Sequence, residues 1–299
     1  MKKNYSLVDD TFFESFRGNY IRGLITAEDE QTAKEAAYDS TSTPSSVIGR
    51  VEAGVEGFLD ESKTPDGRPG VICQYWFNAD NLEKFEKELS YRIRQDILVK
   101  PFTSFFSLTE NPIGKIDTME RVGHCGDGWE TIENIYGREM INVPIAVPDF
   151  KIEKELGYAP GIMGANFWYM CNTKKAVMEA GHIIINEIME VEGTCTPFGI
   201  CSAASKPETN FPEIGPSTNH PYCPSLKDRL KDESKVPDGV KYIPEIVINA
   251  VNEDAMKKAV KVAIDSILDI DGIVSISAGN FGGKLGEDNY YLYDILGSQ

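Results

Sequence analysis

The chain has 299 residues, enough for two domains. Its 41 % hydrophobic and 26 % charged residues are the balance of a globular protein, not a disordered one. Lys and Arg number 30 against 47 Asp and Glu, a formal net charge of −17 carried by both halves, so nucleic-acid phosphates and anionic membrane surfaces are excluded as expected partners.

The chain opens Met1-Lys2-Lys3-Asn4-Tyr5-Ser6, two lysines with no apolar stretch behind them, and Asp9, Asp10 and Glu14 follow. That is not a signal-peptide pattern, and no window approaches the roughly 18 apolar residues of a membrane-spanning helix. A cytoplasmic location is expected. The cysteines (Cys73, Cys125, Cys171, Cys195, Cys201 and Cys223) are then expected to be reduced. None forms a Cys-x-x-Cys pair and only Cys125 has a neighbouring histidine, His124, so no metal site is expected.

One strand–helix–strand pattern recurs four times. The first copy reads as a strand over 21–26, a helix over 29–40 and a strand over 45–49. The second is a strand over 70–77, a helix lined by Leu82, Phe85, Leu89 and Ile93, and extended chain over 97–106. The third is a strand over 166–170, a cap at Asn172-Thr173, a helix through Val177, Ala180, Ile184 and Ile188, and a strand after Gly193. The fourth is a strand over 242–249, a cap and acidic first turn at Asn252-Glu253-Asp254, a helix through Met256, Val260, Ala263 and Ile267, and a strand over 273–277. In the last two copies IMEVEGT at 188–194 stands where ILDIDGI stands at 267–273.

Two such units in succession make a βαββαβ pattern. The expected fold is α+β: two ferredoxin-like lobes from an internal duplication, with inserted β segments, divided as 1–150 and 151–299. An open doubly wound sheet is the alternative, weakened because the helices come in pairs separated by long hairpin-like segments. Residues 107–164 hold the turn Gly126-Asp127-Gly128 and β-like runs over 131–136 and 140–147. Residues 202–241 are Pro-rich, and a loop of that length is usually functional or part of an interface.

Ser277-Ala278-Gly279-Asn280-Phe281-Gly282-Gly283-Lys284-Leu285-Gly286 invites a phosphate-loop reading and fails it. Ala278 stands where the first glycine is needed, Leu285 where Ser or Thr must meet magnesium, and the following Asn289–Tyr293 reads as a strand. What remains is a glycine-rich turn, either a tight structural turn or a nest of backbone N–H groups that holds an anion. Glu245 interrupts an apolar strand and shares a face with Val247 and Asn249. It is either at an exposed edge, which pattern alone favours, or buried, where its raised pKa makes it a general acid/base. Arg68, fixed between Gly67 and Pro69 in Thr64–Gly70, is either a loop residue or a bidentate carboxylate holder. Glu52 reads as solvated and Asn166 as a strand-end cap.

Several blocks together resemble the formylmethanofuran–tetrahydromethanopterin formyltransferase family. They are Glu52–Gly54 (EAG), Thr64–Gly70 (TPDGRPG), Ala165–Phe167 (ANF), Ser217–Asn219 with Tyr222–Pro224, Glu245–Asn249 (EIVIN) and Ile276–Gly286 (ISAGNFGGKLG). The resemblance covers nearly the whole chain in order. It implies a cytoplasmic enzyme of one-carbon metabolism, in methanogenesis or formaldehyde oxidation. The formyl group moves between the amine nitrogen of methanofuran and N5 of tetrahydromethanopterin, two carrier cosubstrates, with no tightly bound cofactor. It implies homo-oligomers, dimer or tetramer, with other subunits of the same pathway as candidate partners. It gives the glutamate of the EIVIN strand, Glu245, the acid/base role at a tetrahedral intermediate. The expected substrate-binding set is Arg68, Glu52, Asn166, Ser277, Gly279, Asn280, Gly282, Gly283 and Lys284. Ser277, Asn280 and the 279–283 turn are the oxyanion donors in that set, and Arg68 and Lys284 its anchors for anionic carriers.

The chain departs from the family in the shorter Pro197-Phe198-Gly199-Ile200-Cys201-Ser202 segment, in Ile48–Gly54, around Lys100-Pro101-Phe102-Thr103, and at Cys125 and Trp129 beside the GDG turn. These departures raise the alternative of a non-catalytic or substrate-altered paralogue that binds pterin or serves in complex assembly.

Overall fold

The computed structural model describes residues 4–43 and 51–297. The first half of the chain holds β1 (Phe12–Thr26), α1 (Glu30–Thr41), β2 (Glu52–Leu59), β3 (Gly70–Phe77), α2 (Leu82–Arg92), β4 (Ser104–Ser107), β5 (Gly114–Asp117), β6 (Thr131–Ile135) and β7 (Arg138–Val143). Then come β8 (Phe150–Glu153), β9 (Glu155–Cys171), α3 (Lys174–Met189), β10 (Thr194–Cys195), α4 (Lys227–Leu230), β11 (Glu245–Ala250), α5 (Glu253–Ile267), β12 (Ile273–Ser277), β13 (Asp288–Tyr291) and α6 (Leu292–Leu296). The strand expected over 45–49 lies outside the described residues. No described helix is long and apolar enough to cross a membrane.

The chain forms two compact units, Gly18–Gly161 and Met1–Arg17 with Ile162–Gln299. Their limits differ from a cut at 150 because β1 and β9 are long strands that each contribute one part to either unit.

In the 18–161 unit the order β2-β3-β1-β4 is antiparallel throughout. Ile21, Ile25, Val71, Cys73, Tyr75 and Phe105 alternate along their strands and bury one sheet face against α1 and α2. Asp29 caps α1 by accepting the Thr32 N–H at 2.8 Å. Beyond β4 the sheet continues through β8, parallel to β4, then β7 and β6 as an antiparallel hairpin. Tyr136 and Gly137 turn that hairpin with positive φ at both positions.

The extended chain expected over 97–106 is shorter. A π-helical turn, Ile93–Ile97, continues α2 and buries Ile93 and Ile97, and the Leu98 N–H closes it on the Ile93 carbonyl at 2.8 Å. Strand geometry begins only at Ser104. Strand β2 was not expected, because Glu52 and Glu56 break its apolar pattern. Both are buried, and Glu56 accepts Arg22 Nε and Nη2 and the Gln74 amide.

In the other unit the order is β10-β11-β9-β12, again antiparallel. Ala165, Phe167, Tyr169, Cys171, Ile246, Ile248, Ile273 and Ile276 face α3 and α5, which contribute Ala180, Ile184, Ile188, Met256, Val260, Ala263 and Ile267. Thr173 and Asn252 cap these helices by accepting the N–H groups of Ala176 and Ala255. The strand expected from 242 begins at Glu245. A register irregularity between Ile248 and Ala250 ends its alternation, and Asn249 is fully buried, accepting the Gly164 N–H at 2.9 Å. The strand expected over 289–293 is β13 only as far as Tyr291, after which α6 begins.

Candidate active site

The helix-free face of the 162–299 sheet carries a row of side chains. Directly opposed residues on antiparallel strands point to the same face. Ser277 on β12 opposes Trp168 on β9, Trp168 opposes Glu245 on β11, and Glu245 opposes Cys201. Glu245 and Cys201 exchange two backbone hydrogen bonds, at 2.8 and 2.9 Å. Asn166 opposes Val247 two residues along the same face. Glu245 is therefore at an interior position, flanked on both sides, and not at an exposed edge.

The indole N–H of Trp168 donates to Glu245 Oε1 at 3.3 Å. Burial pushes the Glu245 pKa up, and the neighbouring Trp168 and Cys201 side chains oppose that only in part. Burial also raises the Cys201 pKa, the neighbouring Glu245 adds to the rise, and the backbone N–H groups of Ala203 and Ala204 work against it.

The Pro-rich segment covers part of this face. Ala204, Val236, Val240 and Ile243 pack with Trp168 and Met170 in a small apolar cluster. The Tyr222 ring stands edge-on to Trp168, centroids 4.7 Å apart. On the other flank the chain leaves β12 and passes close to the indole: a Cβ on Gly279 would lie 2.8 Å from Trp168 Cζ2. The Gly279 N–H donates to Asn166 Oδ1 at 2.9 Å, so Asn166 anchors the glycine turn rather than capping a strand end.

The turn is a nest that already holds an anion. The buried Glu14 carboxylate accepts the backbone N–H groups of Phe281 at 2.5 Å and Leu285 at 2.9 Å. The Asn280 amide donates to Thr11 Oγ1 and the Phe12 carbonyl, and its Oδ1 accepts the Gly282 N–H. Among the described residues, the N–H groups of Gly283 and Lys284 and the Ser277 hydroxyl have no hydrogen-bond partner. The Lys284 side chain is exposed and, among the described residues, forms no ion pair.

Arg68 and Glu52 belong to the 18–161 unit. The Arg68 guanidinium donates to Asp66 Oδ2 at 2.6 and 3.0 Å, to Ser104 Oγ at 2.8 Å, to Thr26 Oγ1 at 3.2 Å and to the Phe102 carbonyl. Glu52 opens β2 opposite Trp76 and is 5 % exposed, where the pattern alone read it as solvated. Among the described residues no group of three His, Cys, Asp or Glu side chains is placed to hold a metal ion.

Residues 1–145 match the family model for formylmethanofuran-tetrahydromethanopterin formyltransferase, and residues 148–295 match the model described as FTR, proximal lobe. The chain belongs to the formylmethanofuran–tetrahydromethanopterin formyltransferase family. Like the family it has a mixed α+β fold of two lobes. It is similar, at 35 % identity and a TM-score of 0.91, to the formyltransferase structure from Methanosarcina barkeri, over 99 % of this chain and 100 % of that one.

Two relatives from Methanothermobacter thermautotrophicus place the chain within the family. One, named a formyltransferase-like protein, is 58 % identical over 297 residues, 99 % of this chain and 100 % of its own length. The other, named formyltransferase without qualification, is 36 % identical over 300 residues, 99 % of this chain and 100 % of its own length. Within one organism the chain is therefore nearer the formyltransferase-like protein, and it is a divergent paralogue.

The sequence singled out Glu245, but not the two residues beside it nor the acid that organises the glycine-rich turn. Trp168 was legible only as a strand residue, although ANFWYM pairing with EIVIN would have set it beside Glu245. Cys201 was noted only in a shortened segment. Glu14 gave no signal, since its partners lie 267 and 271 residues away.

Proposed function

We propose that the chain moves a formyl group between the amine nitrogen of methanofuran and N5 of tetrahydromethanopterin, with Glu245 as the acid/base. The observation that carries this is the Glu245 carboxyl: interior to the sheet, accepting the Trp168 indole N–H, its pKa raised by burial. A carboxyl whose proton affinity is raised by burial is suited to general acid/base work.

In this reading the pterin N5 attacks the formyl carbon and forms the new C–N bond, and Glu245 takes the N5 proton. The tetrahedral intermediate carries its negative charge on the former carbonyl oxygen. The Ser277 hydroxyl and the N–H groups of Gly283 and Lys284 are the donors left for that oxygen. Glu245 returns the proton to the methanofuran nitrogen as the old C–N bond breaks. Lys284 supplies positive charge for anionic carriers, while Asn166, Gly279, Asn280 and Gly282 shape the walls beside it. We assign Arg68 to the fold of its own unit, not to a carrier carboxylate, because its donors are engaged within the protein.

The same reading takes the two lobes as duplicated ferredoxin-like units, supported by the strand orders β2-β3-β1-β4 and β10-β11-β9-β12, each in a βαββαβ run. It also makes the protein a cytoplasmic homo-oligomer whose −17 subunits associate better when salt screens them. Sedimentation at low and high ionic strength reads that directly.

A second reading is a paralogue that binds a carrier or serves in complex assembly without turnover. The nearer likeness to the formyltransferase-like relative favours it. A formyl-transfer assay with both carriers separates the two: measured transfer supports the enzyme, and carrier binding without transfer supports the second reading.

A further inference from the structure

Trp168 takes no part in the proton movements just described, yet its indole is fixed from three directions. Along the sheet, its N–H donates to Glu245 Oε1 at 3.3 Å. From the Pro-rich segment, the Tyr222 ring stands at 69° to the indole plane with centroids 4.7 Å apart. From the chain leaving β12, Gly279 passes so close that a Cβ there would lie 2.8 Å from Cζ2 and 3.2 Å from Nε1. Met170, Val236, Val240 and Ile243 complete the packing, and Trp168 is 3 % exposed. Enclosed in this way, the ring cannot change rotamer without displacing a neighbour. The carboxyl it meets is partly exposed on the helix-free face, and among the described residues Glu245 Oε2 accepts no hydrogen bond.

We infer that Trp168 is a positioning residue for Glu245: its clamped indole N–H holds Oε1 and leaves Oε2 as the oxygen that meets the reacting nitrogens. This rests on the acid/base reading of Glu245. An unrestrained glutamate side chain has several rotamers, and each turnover would have to select one of them. A donor already fixed in place makes that selection before the carriers arrive. The indole N–H is a donor only, so it can neither take up the proton nor pass it on. Oε1 stays an acceptor throughout, and the proton comes and goes at Oε2. The clamp also gives the Pro-rich segment a task. Tyr222 restrains the indole that restrains the carboxyl, and the Lys235 ammonium lies over the Tyr222 ring, 5.6 Å from its centroid.

The test uses the full chain at fixed pH, with nitrogen-15 in its tryptophan indoles. There are three tryptophans, and the Trp168 signal is assigned by its loss in Trp168→Phe. Glu245→Ala removes the acceptor, so the Trp168 N–H proton signal should move upfield while those of Trp76 and Trp129 stay in place. Tyr222→Ala should move it in the same direction, and Tyr222→Phe, which keeps the ring, should not. Formyl transfer is then measured with Trp168 replaced by 3-benzothienylalanine, which keeps the bicyclic shape and lacks the N–H. Loss of one hydrogen bond to a carboxylate should lower kcat about tenfold or more, with KM and the thermal midpoint unchanged. A tryptophan that serves packing alone would keep wild-type kcat in that variant. An unmoved Trp168 signal in Glu245→Ala, or wild-type kcat in the benzothienyl variant, overturns the proposal. An inactive wild type overturns the acid/base reading and the role that rests on it, and the signal shift, which needs no turnover, tells that failure apart from absence of the clamp.

Discussion

The Glu14 carboxylate accepts the backbone N–H of Leu285 at 2.9 Å, closing a contact across 271 residues of sequence. Its other oxygen takes the Phe281 N–H. The glycine-rich turn that a sequence reader offers to a ligand anion is organised by the chain's own. Gly286 permits the approach, since a Cβ there would lie 2.7 Å from both Glu14 Cβ and the Ser15 carbonyl oxygen. Glu14→Gln puts an amide donor against backbone donors and should cost about 2–4 kcal/mol. Urea unfolding measures the loss, and hydrogen exchange at Phe281 and Leu285 should accelerate with it.

The close passage of Gly279 over Trp168 predicts a local and directional effect. In Gly279→Ala the new methyl meets the indole at 2.8 Å and must push it aside. The cost should be about 1–3 kcal/mol, with altered tryptophan fluorescence. Gly282→Ala makes no such contact and carries only the strain of its positive φ, about 1 kcal/mol, with fluorescence unchanged.

Arg68 should behave as a fold residue. Its partner Asp66 is buried, with Oδ1 lacking any hydrogen bond, so Asp66 depends on the guanidinium for compensation. Arg68→Ala should lower stability by about 2–4 kcal/mol, by leaving that carboxylate uncompensated. Arg68→Ala with Asp66→Asn should recover part of the loss. A rise in KM at unchanged stability would instead assign Arg68 to a carrier.

Much of the fold was legible because its signals are local. Capping by Thr173 and Asn252 and the helical spacing of Met256, Val260, Ala263 and Ile267 depend on neighbours a few residues apart. What failed was decided at long range. Strand β2 was hidden by Glu52 and Glu56, and the Glu56 charge is matched by Arg22, 34 residues earlier in the chain. Extended chain at 97–100 was overridden by a π-helical turn that buries Ile93 and Ile97. In the candidate site, Glu245 stood out as a lone acid in an apolar strand. Its neighbours Trp168 and Cys201 required the registers of β9 and of Cys201, which alternation alone does not set.

The raised Glu245 pKa has a consequence for stability. A carboxyl whose folded pKa lies above its unfolded value, about 4.3, binds its proton more tightly in the folded state. Stability from this group is complete below the unfolded pKa and is lost as pH rises through the folded pKa. Glu245→Gln lacks that loss. Its thermal midpoint relative to the wild type should therefore rise as pH climbs from about 4 through the raised folded pKa, then level off. A flat difference across that window would place Glu245 in water in the folded state.

The most direct measurement is formyl transfer between the two carriers by the wild type and by Glu245→Gln, with kcat and KM resolved across pH. Measurable wild-type transfer is predicted, with kcat in Glu245→Gln lower by about 10²–10⁴-fold and KM little changed. Absence of transfer by the wild type, or wild-type kcat in Glu245→Gln, would contradict the account.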